Sequence, residues 1–175
     1  MKIEFKINNN QVLKKVKVIK PSKYIDHRGF IYTNFNNKLE KKILPKNYRF
    51  NHCKINFRKK NVLVGVHYDA KTWKLISCLK GKILHVVTCL DFKDKKNLYK
   101  SVNFILNSKK NLSILLPPNY GNSFYCYEDS IILYQFAYFG KYLDHKNQKT
   151  ISWSNKKLNI KWPAKKPILS KRDNI

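Results

Sequence analysis

Acidic residues are scarce in this chain of 175 residues: 10 Asp and Glu stand against 37 Lys and Arg, for a formal net charge of +27. A balance of that kind predicts an anionic partner, whether nucleic acid, an acidic membrane or a phosphorylated small molecule. Long apolar runs are also missing. No stretch nears the ~18 consecutive apolar residues of a membrane helix, and the opening MKIEFKINNNQ lacks the apolar core of a signal peptide. A cytoplasmic protein with no membrane partner is the expectation. Cysteine is sparse, with Cys53, Cys78, Cys89 and Cys126 far apart and no C-x-x-C pair. That spacing argues against a disulfide framework and against a compact zinc site, and favours buried, reduced thiols. What the chain does have is apolar material: 43% hydrophobic residues exclude intrinsic disorder despite the charge, and the length suits a single domain over 1–175.

Helical periodicity is nearly absent, Lys38–Leu44 being the one short exception. Runs rich in Val, Ile, Leu, Phe and Tyr instead predict strands at Leu13–Ile19, Gly29–Asn34, Lys54–Arg58, Leu63–His67, Lys74–Leu79, Lys82–Cys89, Tyr99–Leu106, Ser113–Leu116, Ser123–Tyr127, Ile131–Tyr138 and Thr150–Trp153. In Lys82–Cys89 both alternating sets, Ile83/His85/Val87/Cys89 and Leu84/Val86/Thr88, are largely apolar, which predicts a strand covered on both faces. The 5 glycines and 6 prolines act as punctuation, in turns such as Asp26–Gly29, Lys80–Lys82 and Pro117–Gly121. Many short strands at regular spacing predict an all-β sandwich or barrel. The lysine doublets, Lys14-Lys15 to Lys165-Lys166, fall mostly in predicted turns and are spread along the chain. None forms the block of like charges that marks an interaction tail, so they read chiefly as solvated surface.

Among the histidines His27, His52, His67, His85 and His145, His67 stands out. It ends the run Val62–His67 and is followed by Asp69, Lys74 and Gly81, the layout of the first half of a cupin motif. Pro117–Ser123, a proline-rich turn leading into a strand, matches the second half. A metal-binding cupin needs several histidines and a glutamate around one ion. Here Asp69 stands where a second histidine would fall, no glutamate follows within that segment, and Asn122 stands where the second motif supplies its histidine. No metal and no cofactor are expected, which leaves acid–base chemistry by side chains.

These segments resemble the dTDP-4-dehydrorhamnose 3,5-epimerases, a metal-free cupin family of nucleotide-sugar epimerases. The resemblance rests on Asp26-His27-Arg28-Gly29-Phe30, Asn61-Val62-Leu63-Val64-Gly65-Val66-His67, Lys74-Leu75, Leu115-Leu116-Pro117-Pro118-Asn119 and Leu133-Tyr134. Trp153 to Trp162-Pro163 and Leu169-Ser170-Lys171-Arg172-Asp173 complete the family order. It implies an all-β cupin, a double-stranded β-helix jelly-roll barrel with few short helices. It also implies a homodimer in which the N-terminal strands, about 1–50, pack on the partner. Pro117–Ser123 and Phe136–Tyr142 look closer to a branch acting on GDP-linked 6-deoxy-4-keto-heptoses in capsule polysaccharide biosynthesis. The implied activity is an isomerase inverting C3, C5 or both of a GDP- or dTDP-linked 4-keto sugar.

By the same resemblance His67 is the catalytic base, Asp173 its carboxylate partner, Tyr134 the general acid on the opposite face, and Lys74 the cation at the sugar's C4 oxygen. Arg28 binds the substrate diphosphate, from a partner subunit in some members, and Asn122 takes a substrate-binding place held by histidine in much of the family. Val64 replaces the arginine that precedes the family's Gly-x-His, and Asn155 replaces an aspartate. The chemistry is coherent. A ketone acidifies the neighbouring C–H bonds, an imidazole with an ordinary pKa of about 6.5 can take such a proton, and a placed cation stabilises the enolate. Two other readings stay open: a 3,4-ketoisomerase of the same fold, and a non-catalytic basic β-barrel that binds nucleic acid by stacking bases on its aromatics.

Overall fold

A computed structural model describes residues 2–142 and 148–175, so the candidate His145 lies outside the described residues. Among the described residues thirteen strands follow one another: β1 (Phe5–Asn9), β2 (Lys17–Pro21), β3 (Lys23–Asp26), β4 (Gly29–Tyr32), β5 (Phe50–Arg58), β6 (Leu63–Tyr68), β7 (Trp73–Lys80), β8 (Lys82–Cys89), β9 (Ser101–Asn107), β10 (Ser113–Leu116), β11 (Tyr120–Cys126), β12 (Ser130–Ala137) and β13 (Lys149–Ile151). Among the described residues there are also one helix, α1 (Asn37–Ile43), and a short 3-10 turn at Lys156–Leu158. Two antiparallel sheets face each other, ordered β1-β2-β10-β7-β12-β5 and β13-β6-β11-β8-β9, while β3 and β4 form a separate hairpin. This is the expected all-β jelly roll of cupin type, and β1 and β2 belong to the chain's own large sheet.

The main core lies between the sheets. It takes Ile76 and Cys78 from β7, Ile83, Val87 and Cys89 from β8, Phe124 and Cys126 from β11, and Ile132, Tyr134 and Phe136 from β12. Both outer faces are also covered. Leu39 and Ile43 of α1 pack on Leu75, Leu115 and Ala137 outside the large sheet. Trp153, Ile160, Trp162 and Leu169 from the C-terminal segment pack on Leu63, Leu84, Val86 and Tyr125 outside the other. The double burial predicted for β8 follows directly: its two side-chain sets enter two different cores.

The differences from the sequence reading have local causes. Leu13 and Val16 are fully buried but precede the strand. The Asn10 side chain accepts from the Val12 and Leu13 N–H groups and stabilises a turn there, so pairing starts only at Lys17. β1 and β3 carry few apolar residues and are strands only because β2 and β4 pair with them. β11 starts at Tyr120, three residues before the predicted Ser123, because Asn119 takes the left-handed φ of 63° and completes the turn by itself. Helix α1 ends at Ile43, with Leu44 extended before Pro45. Cys53 is exposed, unlike the buried Cys78, Cys89 and Cys126; it lies on β5, the edge strand of the large sheet. Gly81 is held at a φ of 79° in the β7–β8 turn, where a Cβ would meet the Asp129 carbonyl oxygen at 2.4 Å.

Candidate active site

A cavity of about 400 Å³ opens between the two sheets, within the size range of small-molecule sites. Its lining includes His67, Lys74, Asn122, Tyr134 and Asp173, five of the six residues singled out in the sequence. Arg28 is the sixth and does not line it. It sits at the exposed tip of the β3–β4 hairpin, paired with Asp26 at 2.7 Å.

The entry of His67 into the cavity needs a backbone irregularity. On β11 one residue separates Phe124 from Asn122, whereas on β6 two separate their partners Val64 and His67. The additional residue is a β-bulge. Without it, Val64 and His67 would point to opposite faces of the sheet; with it, both line the cavity. Gly65 lies in this bulge for a second reason. A Cβ there would fall 2.6 Å from Asp173 Oδ1, so only glycine admits the carboxylate.

Asp173 reaches His67 because the C-terminal segment runs alongside the start of β6. Leu63 N–H donates to the Ile168 carbonyl, and Ile168 N–H donates to the Asn61 carbonyl. The chain then turns at 170–173, where Ser170 Oγ donates to Asp173 Oδ2 at 2.7 Å. Asp173 Oδ1 lies 2.9 Å from His67 Nε2. Burial alone would raise the Asp173 pKa. The bonds from His67 and Ser170, the charge of His67 and the Gly65 N–H outweigh it and hold the carboxyl below its ordinary value. On the other side of the ring, Nδ1 is 3.0 Å from Thr150 Oγ1, which accepts from Arg172 Nε at 2.8 Å.

The opposite wall comes from the large sheet. Lys74 on β7 and Tyr134 on β12 point inward with Ile76 and Phe136, as strand alternation requires. Lys74 Nζ is 3.1 Å from Asp69 Oδ2, and both side chains are almost fully buried. The Asp69 carboxylate also accepts from the Lys71 and Thr72 N–H groups. Burial would raise its pKa, but the Lys74 charge and these bonds lower it overall. Burial pulls the Lys74 ammonium below its ordinary range despite the carboxylate beside it. Asp69, placed where a metal cupin would have a histidine, is thus committed to Lys74. Burial pushes the Tyr134 phenol up to about 12, against the opposing influence of the Asn56 and Asn122 side chains and of Arg58.

Asn122 lies opposite His67 in the β6–β11 register, and its Oδ1 is 2.8 Å from Nε2 of the buried His85. Thr150 beside His67 and the cavity-lining Asn56, Arg58 and Arg172 were not singled out in the sequence. Arg172 had a signal, being next to Asp173 in the same terminal motif. Thr150 had none, because its place depends on β13 pairing with β6.

Comparison with known proteins gives the family and the fold. A family model described as dTDP-4-dehydrorhamnose 3,5-epimerase matches residues 10–175. The enzyme of that name from Shigella flexneri is 27% identical over 165 residues, spanning 90% of this chain and 87% of its own. That from Escherichia coli is 26% identical over 164 residues, spanning 90% and 86%. Among solved structures, the dTDP-6-deoxy-D-glucose-3,5-epimerase of Legionella pneumophila, in complex with dTDP-4-keto-L-rhamnose, superposes with a TM-score of 0.88. It is 26% identical and covers 97% of this chain and 90% of its own. The Sulfolobus tokodaii dTDP-4-dehydrorhamnose 3,5-epimerase gives 0.81 at 28% identity, with 99% and 93% covered.

Proposed function

Since the chain belongs to the dTDP-4-dehydrorhamnose 3,5-epimerase family, we propose that it inverts C3, C5 or both of a nucleotide-linked 6-deoxy-4-keto sugar, with a GDP-linked heptose as the substrate class. The observation that carries the reading is the placing of His67 and Tyr134 on opposite sheets of one cavity, with Lys74 buried beside Tyr134. In this reading His67 takes the proton from the carbon next to the ketone. The C–H electron pair moves into the ring and the charge collects on the C4 oxygen, where Lys74 stabilises it. Tyr134 then delivers a proton from the other face, which inverts the centre. Asp173 supports the imidazolium formed in the first step.

A dimer is part of the proposal. The hairpin exposes Tyr24, Ile25, Phe30 and Ile31, and edge strand β5, which lines the cavity, exposes Ile55 and Phe57. Docking of two copies along these apolar residues would cover them and could carry Arg28 to the partner's cavity, where it would meet the diphosphate.

The test is incubation in D₂O with GDP-6-deoxy-4-keto-heptose and, separately, dTDP-4-keto-6-deoxyglucose. Deuterium at C3 or C5 with inversion is expected, faster with the GDP sugar. Absence of exchange with both substrates in folded protein would refute the activity, and a preference for the dTDP sugar would refute the substrate class.

A further inference from the structure

His85 is a buried histidine to which the proposed reaction assigns no step. It lies on β8 between Ile83 and Val87, is fully buried, and packs near Phe104. Its Nε2 is 2.8 Å from Asn122 Oδ1, and among the described residues its Nδ1 has no hydrogen-bond partner. Burial drives its pKa down to about 4, opposed only by Asn122, so near neutral pH the ring carries a single N–H.

The position of that hydrogen decides which way Asn122 faces. With the hydrogen on Nδ1, a buried N–H donor would be stranded, and the Asn122 amide would have to turn its NH₂ toward His85. With the hydrogen on Nε2, the ring donates to the Asn122 carbonyl oxygen, and only an acceptor lone pair is left over. Buried acceptors go unpaired more readily than buried N–H donors. The Nε2–H form is therefore favoured, and it turns the amide NH₂ of Asn122 toward the cavity that Asn122 shares with Tyr134.

We propose that His85 is a positioning residue: by holding the Asn122 carbonyl it aims the Asn122 NH₂ at the Tyr134 oxygen, giving a donor to the phenolate left when Tyr134 delivers its proton. In that step the O–H bond of Tyr134 breaks, the enolate's electron pair forms the new C–H bond, and the negative charge passes to the phenol oxygen. A phenolate in an apolar site needs donors, and Asn122 is one of the side chains that favour the ionised phenol. The proposal rests on Tyr134 being the acid.

Two measurements test it. In the wild-type protein, ¹⁵N shifts of the His85 ring place its hydrogen; Nε2 is expected, and Nδ1 would overturn the proposal. In D₂O, the ratio of inversion to solvent exchange isolates delivery by Tyr134, because exchange on the His67 face needs no acid. H85M lacks the N–H donor and should lower that ratio about 10-fold or more, in line with the ~10²–10³ that loss of a direct donor costs. H85Q, which keeps a donor, should restore most of it. A wild-type ratio in folded H85M, with the ratio collapsed in Y134F, would overturn the relay alone. A wild-type ratio in Y134F would refute the acid assignment itself, and the role of His85 would fall with it. Should H85M fail to fold, the ring shifts of the wild-type protein still decide.

Discussion

The wall of the cavity that carries His67 is assembled differently from the wall that carries Lys74 and Tyr134. His67 sits on β6, between β11 and the three-residue strand β13. Its polar partners, Thr150 and Asp173, come from β13 and the C-terminal turn, roughly 80 to 110 positions away in the chain. Lys74 and Tyr134 sit on β7 and β12, adjacent strands in the middle of the large sheet, paired on both sides. Their alignment comes from the sheet itself, with burial supplying the electrostatics. The base wall is therefore the part that local opening of the C-terminal segment would disturb, while the acid wall is tied to the global stability of the barrel.

Substitutions can break each wall separately. The largest effect is expected at the base: H67N should remove both solvent exchange and inversion, a loss of ~10²–10⁴, with the melting temperature little changed. Lys74 comes next. K74M removes the enolate's cation and should slow both exchange and inversion by ~10²–10³. It also leaves Asp69 buried without its counter-ion, which should cost about 3 kcal/mol in chemical denaturation. The double variant K74M/D69N should regain stability but not rate, and rates recovered together with stability would contradict the assigned role.

A smaller effect is expected at the bulge. A Cβ in G65A would displace the Asp173 carboxylate from the ring. The shift should lower kcat by roughly 10-fold to 10²-fold, while the inversion-to-exchange ratio, a property of the other wall, stays unchanged. A G65A protein with full activity would show that the carboxylate contact at 2.9 Å is dispensable.

The finest distinction lies in the alkaline limb of the rate. Catalysis in this scheme needs Lys74 and Tyr134 both protonated. Burial lowers the first below 10.5 and raises the second to about 12. As pH rises Lys74 loses its proton first, so kcat/KM should fall below pH 10.5, and Y134F should leave the pH of that fall unchanged in the exchange reaction. A limb that vanishes in Y134F would reverse the assignment.

The candidate site residues were legible in the sequence to different degrees. Lys74 and Tyr134 follow from period-2 alternation once their strands are recognised, since Ile76 and Phe136 mark the same inward face. His67 was found through its motif, but alternation alone would have misplaced it, because a bulge changes which face follows which. Asp173 could be proposed only from the terminal motif. Its contact with His67 depends on the bridge between Ile168 and the start of β6, a pairing with no local signal.

By itself the sequence determined the all-β class, the turns marked by glycine and proline, and the inward faces of the regular strands. These properties are local: the backbone alternates every residue, and glycine and proline restrict φ wherever they stand. Tertiary structure alone decided the separation of Arg28 from its own chain's cavity, the Thr150–Arg172 support behind His67 and the hold of His85 on Asn122. Each of these depends on which distant strands become neighbours, and that is settled by closing the two sheets over one shared core.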